Sequence, residues 1–92
     1  MTHVTLFVDL IKEDSKTQRI KDFDKTNNID KLKSIIEKRF NIKKNQNYTM
    51  MTTDKETNID YELRFNEDIE DLYNKQKIKI EFIKTNKIGQ YS

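Results

Sequence analysis

Between residues 54 and 62 an oxygen-bearing side chain stands at every second position: Asp54, Glu56, Asn58, Asp60 and Glu62. Such alternation resembles a calcium loop, in which hard carboxylate and amide oxygens converge on one cation. A loop of that kind needs glycine at its sixth place and a bidentate glutamate at its twelfth. Counting from Asp54, those places hold Ile59 and Phe65. The alternation is what the wet face of a strand produces, so neither a metal site nor a cofactor is expected.

A second cluster is Glu67, Asp68, Glu70 and Asp71. With Asn66 as N-cap, Glu67 and Asp68 fall in the first turn of a helix. There the dipole and free backbone N–H groups favour negative charge by roughly 0.3–1 kcal/mol each. Glu70 and Asp71 lie further along and face outward. The third group is basic: Lys16, Arg19 and Lys21, then Lys31 and Lys33. These are either solvated lysines of a lysine-rich chain or one face that attracts an acidic partner.

Nothing assembles a catalytic centre. His3 is the sole histidine, Ser15 sits in a turn and Ser34 inside a helix, so no nucleophile is paired with a base. The carboxylates belong to surfaces expected to be wet, where nothing tunes them for acid–base work. The chain is therefore expected not to be an enzyme.

The elements that carry these groups follow from periodicity. Residues 4–11, VTLFVDLI, predict a strand with Val4, Leu6, Val8 and Leu10 inward and Phe7 and Ile11 partly covered on the other face. KEDSK is a polar turn, and residues 17–24, TQRIKDFD, make the second strand of a hairpin. Ile20 and Phe23 are out of step, which a bulge, an edge position or an early strand end would each explain.

Ile29, Leu32, Ile35, Ile36 and Phe40 fall at helical spacing behind Asn27 and Asn28 as N-caps, and Asn41 with Ile42 suits a left-handed C-terminal cap. YTMMT predicts a third strand. In NIDYELRF, Ile59, Tyr61, Leu63 and Phe65 alternate as the buried side of a fourth. Ile69, Leu72 and Tyr73 supply a short helix, and Ile78, Ile80 and Phe82 the last strand. The first and last strands are the most apolar, so a parallel pair at the sheet centre is expected.

Ninety-two residues with 34% hydrophobic and 37% charged side chains suit one domain with one modest core. The net charge is +2, left over from 18 basic and 16 acidic groups. Residues 1–47 hold eleven Lys/Arg against seven Asp/Glu, residues 48–77 four against eight, and residues 78–92 three against one. A basic–acidic–basic layout follows, though heavy use of Lys, Asn and Ile with scarce Val, Gly and Pro is also what A/T-rich coding yields. The absence of cysteine, of a secretory h-region and of any long apolar run points to the cytoplasm. KTNKIGQYS is patternless, and residues 85–92 are expected to be a flexible tail or the start of a linker.

The element order, the helix IDKLKSIIEKRF followed by Asn41 and Ile42, and the closing IEDLYNKQKIKIEF resemble the ubiquitin-like β-grasp superfamily over residues 4–84. The resemblance implies an α+β roll in the order ββαββαβ, with a mixed sheet of four to five strands and one main helix on one face. The basic second strand and helix are similar to Ras-binding and Ras-association domains. That likeness implies a signalling module that meets a small Ras-family GTPase through Lys16, Arg19, Lys21, Lys31 and Lys33, by strand addition and opposite charge.

A partial likeness to the acidic members of the Phox and Bem domains implies, as the alternative, a heterodimerisation face of Asp54, Glu56, Glu67 and Asp68. Asn58 stands there where an acid is usual, and the usual glycine is missing. Ubiquitin-type conjugation is not expected, because Gly89 is followed by Gln90, Tyr91 and Ser92 rather than a second glycine. A purely structural role is a further alternative. Nucleic-acid binding is less expected, since Phe7, Phe65 and Phe82 suit a core and the acidic middle third repels phosphate.

Overall fold

A computed structural model describes residues 2–11 and 16–83 of the chain. The expected KEDSK turn, apart from Lys16, and the expected tail at 85–92 lie outside the described residues. In chain order the elements are β1 (His3–Ile11), β2 (Lys16–Asp24), α1 (Ile29–Phe40), β3 (Tyr48–Thr53), β4 (Asp60–Glu62), α2 (Asn66–Glu70) and β5 (Gln76–Phe82). The strands form one mixed sheet in the order β2-β1-β5-β3-β4. β5 takes the centre, parallel to β1 and antiparallel to β3. No helix among the described residues is long and apolar enough to cross a membrane.

Alternation along the strands divides the sheet into two faces. Val4, Leu6, Val8 and Leu10 of β1 and Ile78 and Ile80 of β5 are buried, and they share one core with Leu32 and Ile36 of α1 and with Ile69. Burying each such side chain stabilises by roughly 1.5–3 kcal/mol. The intervening residues, Phe7 and Asp9 on β1 and Lys77, Lys79 and Glu81 on β5, are half-buried or exposed on the other face.

Helix α1 begins and ends as its sequence dictates. The Asn28 side chain accepts from the Lys31 N–H at 2.9 Å, and Asn41 takes the left-handed conformation at φ 56°. Ile42 then folds back, its N–H donating to the Glu37 carbonyl at 2.9 Å while its side chain joins the core.

β2 carries a bulge. Val4 pairs with Phe23 and Leu6 with Ile20, so Lys21 and Asp22 together face Thr5. Asp22 turns left-handed there, at φ 56°, and the extra residue lets Ile20 and Phe23, three apart, both point into the core.

Two expectations for the following segment fail. Ile59 and Phe65 are 63% and 57% exposed rather than buried, because β4 pairs only over Asp60–Glu62. The chain enters β4 from a turn with Asn58 at φ 62°, and leaves it as the Leu63 N–H bonds the Met50 carbonyl and the backbone swings into α2. Asn66 is not the N-cap of α2 but its first residue. Phe65 occupies the cap position, and the Asp68 carboxylate reaches back to accept from the Phe65 and Arg64 N–H groups at 2.9 and 2.8 Å. The Asn66 carboxamide oxygen accepts instead from the Ile29 N–H at 3.0 Å, tying the starts of the two helices together.

A buried polar pair closes the core at the start of β5. Gln76 is fully buried, its amide donating to the Thr52 hydroxyl at 2.8 Å and its oxygen accepting from the Tyr73 N–H at 3.0 Å. Thr52 passes the chain on to the Lys77 carbonyl at 2.7 Å. Beside it Lys75 takes φ 68°, and its N–H and the Asn74 side chain bond the two backbone groups of Thr5, prolonging the β1–β5 pairing by one step.

Candidate functional site

A groove of about 470 Å³ runs between β2 and α1. Its floor is apolar: Ile20 and Phe23, brought to one side by the bulge, meet Ile35 of the helix. Cations stand around it, Lys21 from β2 and Lys31, Lys38 and Arg39 from α1, with Asp22 and Asp24 on the strand side. Asp24 is engaged already, since its carboxylate accepts from the Thr26 N–H and hydroxyl at 2.9 and 2.8 Å. Those bonds hold it below the usual carboxylate range.

Arg39 also fastens the groove. Its guanidinium donates to the Arg19 carbonyl at 3.3 Å, while the Gln18 side chain donates to the Arg39 carbonyl at 3.1 Å. The Arg19 carbonyl belongs to the outer edge of the sheet, so one acceptor that an added strand would use is occupied, and the bulge interrupts the next.

Of the five basic residues expected to act together, Lys21 and Lys31 line this groove and the other three do not. Lys16 is exposed at the start of β2. Arg19 stands opposite Phe7, on the sheet face away from the helices. Lys33 lies on the far side of α1 with its ammonium 5.8 Å from the Tyr48 ring centre. Helical geometry explains the last case: two residues beyond Lys31 is about 200° around the axis, whereas Ile35 and Lys38 return to the Lys31 face. That signal was present in the sequence, and it names Lys38 and Arg39 as the partners of Lys31.

The acidic residues divide as well. Asp54 and Glu56 line a cavity with Asp71 and Tyr73, and neither Glu67 nor Asp68 borders it. The Asp54 carboxylate accepts from the Thr57 hydroxyl and N–H, both at 2.8 Å, which holds its pKa down. Asp68 is spent on the start of α2, and Glu67 is exposed. On the opposite flank of α1 the Tyr48 hydroxyl donates to Glu37 at 2.6 Å, and burial with that carboxylate pushes the phenol well above its ordinary range.

The open face of the sheet holds a concavity of about 640 Å³, with Lys55, Lys75, Lys77 and Lys79 among its walls. Sequence periodicity marks Lys77 and Lys79 as outward, but only the fold brings Lys55 and Tyr73 beside them. Compared with models of known protein families and with curated proteins, the chain finds no match.

Proposed function

We propose that the chain is a non-catalytic interaction module of ubiquitin-like β-grasp type, acting in signalling and binding the acidic surface of a protein partner in the groove between β2 and α1. The supporting observation is that groove itself, an apolar floor of Ile20, Phe23 and Ile35 ringed by Lys21, Lys31, Lys38 and Arg39. Opposite charge steers encounter and fixes orientation, while the floor supplies burial. Small GTPases of the Ras family are the partner class that the likeness to Ras-binding domains points to. With the Arg19 carbonyl taken by Arg39 and the bulge next to it, docking relies on side chains more than on strand addition along the whole of β2.

The test is titration of the protein with nucleotide-loaded Ras-family GTPases by calorimetry, with the charge reversals K31E and K38E. Binding that weakens at least about tenfold in the double variant, and falls with salt, supports the proposal. Binding that is unchanged in that variant removes the groove from the interface.

An acidic heterodimerisation face of Phox and Bem type is the second reading, favoured by one observation: Asp54, Glu56 and Asp71 line one cavity. Capture of a basic interaction domain that survives K31E/K38E but is lost on charge reversal at Asp54 and Glu56 would select it.

A further inference from the structure

The face of the sheet opposite the core is uncovered by either helix, since the helix side chains that pack, Leu32, Ile36 and Ile69, all join the core on the other side. Phe7 lies on this open face. It is half-buried, stands outside the core cluster and sits in register between Arg19 on β2 and Lys77 on β5. The sequence placed Phe7 on the less covered side of β1 and then counted it towards a core; the register makes it an aromatic platform flanked by two cations.

Lys77 and Lys79 alternate along β5 on the same face, roughly 6.7 Å apart along the strand. Lys75 and Lys55 border the same concavity, the latter with its ammonium 4.9 Å from the Tyr73 ring centre. Among the described residues none of these lysines forms an ion pair with a carboxylate. Asp9, Asp60 and Glu81 border the concavity too, but the Asp9 and Asp60 carboxylates accept hydroxyl donors from Thr17 and Thr53. Asp9 stands opposite Lys79 and Glu81 lies beyond it, so positive charge concentrates at the end holding Phe7, Lys75 and Lys77.

We infer that this end of the open face binds single-stranded nucleic acid, with a base stacked on Phe7 and successive phosphates on Lys75, Lys77 and Lys79. Two features favour that occupant over an acidic peptide. Lys77 and Lys79, two residues apart on β5, with Lys75 opposite Thr5 one step before them, match the separation of neighbouring phosphates in an extended chain, and an aromatic ring between cations takes a base of any identity. A duplex, whose bases are stacked internally, gains nothing from Phe7. The site is independent of the β2–α1 groove, on the other side of the sheet.

The experiment is fluorescence anisotropy with a labelled mixed-sequence RNA of about twelve nucleotides, a length within the range such platforms cover. The DNA equivalent and a duplex are run beside it. Binding to single strands is expected, with affinity falling as roughly the second power of salt for three neutralised phosphates. K75E/K77E should weaken it at least about tenfold, and F7L, which keeps an apolar side chain on the strand, by several-fold. K31E/K38E should leave it unchanged. If K75E/K77E melts early, K77E alone carries the comparison. No binding at low salt, equal binding to duplex, or binding indifferent to K77E and F7L overturns the inference. Displacement by polyglutamate as readily as by oligonucleotide also overturns it, and assigns the face to an acidic protein.

Discussion

Gln18 and Arg39 are bonded across the gap between the edge strand and the last turn of α1, the Gln18 amide donating to the Arg39 carbonyl at 3.1 Å. Arg39 in turn donates to the neighbouring Arg19 carbonyl at 3.3 Å. Carbonyls of a final helical turn lack partners within the helix, and this one finds its partner on β2. The pair therefore sets the width of the basic groove at its closed end.

Replacing Gln18 with Ala is expected to lower stability by no more than about 1 kcal/mol, since the bond is exposed. Its larger effect should be local. Amide exchange of Asn41 and Ile42, whose N–H groups close the helix on Glu37, should quicken by NMR. Exchange as slow as in the parent protein would mean that the latch does not hold the turn.

The Gln76–Thr52 bond should appear as coupling in a double-mutant cycle. T52V takes the Thr52 acceptor from the fully buried Gln76 amide, which keeps its hydrogen bond with Tyr61, at a cost of about 1 kcal/mol or more. Q76L removes the demand on Thr52 but strands the Tyr73 N–H. T52V/Q76L should therefore cost less than the two singles together, by about 1 kcal/mol in urea denaturation. Additive costs would show that the bond contributes nothing of its own.

Asp68 and Glu67, neighbours in the same acidic cluster, should separate. D68A removes the carboxylate that accepts from Arg64 and Phe65 and is expected to cost about 0.5–2 kcal/mol. E67A, at an exposed position, should stay within about 0.5 kcal/mol of the parent. Equal losses in thermal melts would contradict the capping role of Asp68.

Acid should act partly through Asp54. Its folded pKa lies below the ordinary 3.8 because Thr57 donates to it twice. The stability linked to a depressed carboxylate is fully present above the unfolded pKa and is lost as pH falls through the folded one. D54N should flatten the decline in unfolding free energy below about pH 4 and leave its slope above about pH 5 unchanged. The effect is modest at this exposed turn, and an identical acid profile in both proteins would refute it.

Much of this molecule was legible where one periodicity ruled. The α1 caps at Asn28 and Asn41, the buried row of β1 and the parallel meeting of β1 with β5 all follow from local spacing and apolarity. The segment from Ile59 to Phe65 was misread because perfect alternation promised a strand of full length. What shortens β4 to three residues is the left-handed Asn58 at one end and the start of α2 at the other. Alternation specifies which face a residue takes, not how long a partner strand stays alongside.

The charged surfaces were harder for a related reason. Lys31 and Lys33 look like one basic patch in the sequence, yet they diverge around the helix. Lys38 and Arg39 join Lys31 instead. Gln76 gave no signal at all, because a glutamine opening a lysine-flanked strand reads as polar surface until Thr52 is placed opposite it by the fold.

The chain has a single glycine, Gly89, so among the described residues the left-handed positions fall on Asp22, Asn41, Asn58 and Lys75. Asn and Asp tolerate that conformation through their short polar side chains, whereas lysine bears a cost of about 1 kcal/mol or more. The mutational neighbourhood of this protein is consequently lopsided. At the tightly filled core positions most changes lead downhill, but at Lys75 a change to glycine, two base substitutions away, would relieve strain. Spare stability of that size waits in this one turn, and drawing on it would take one cation from the open face of the sheet.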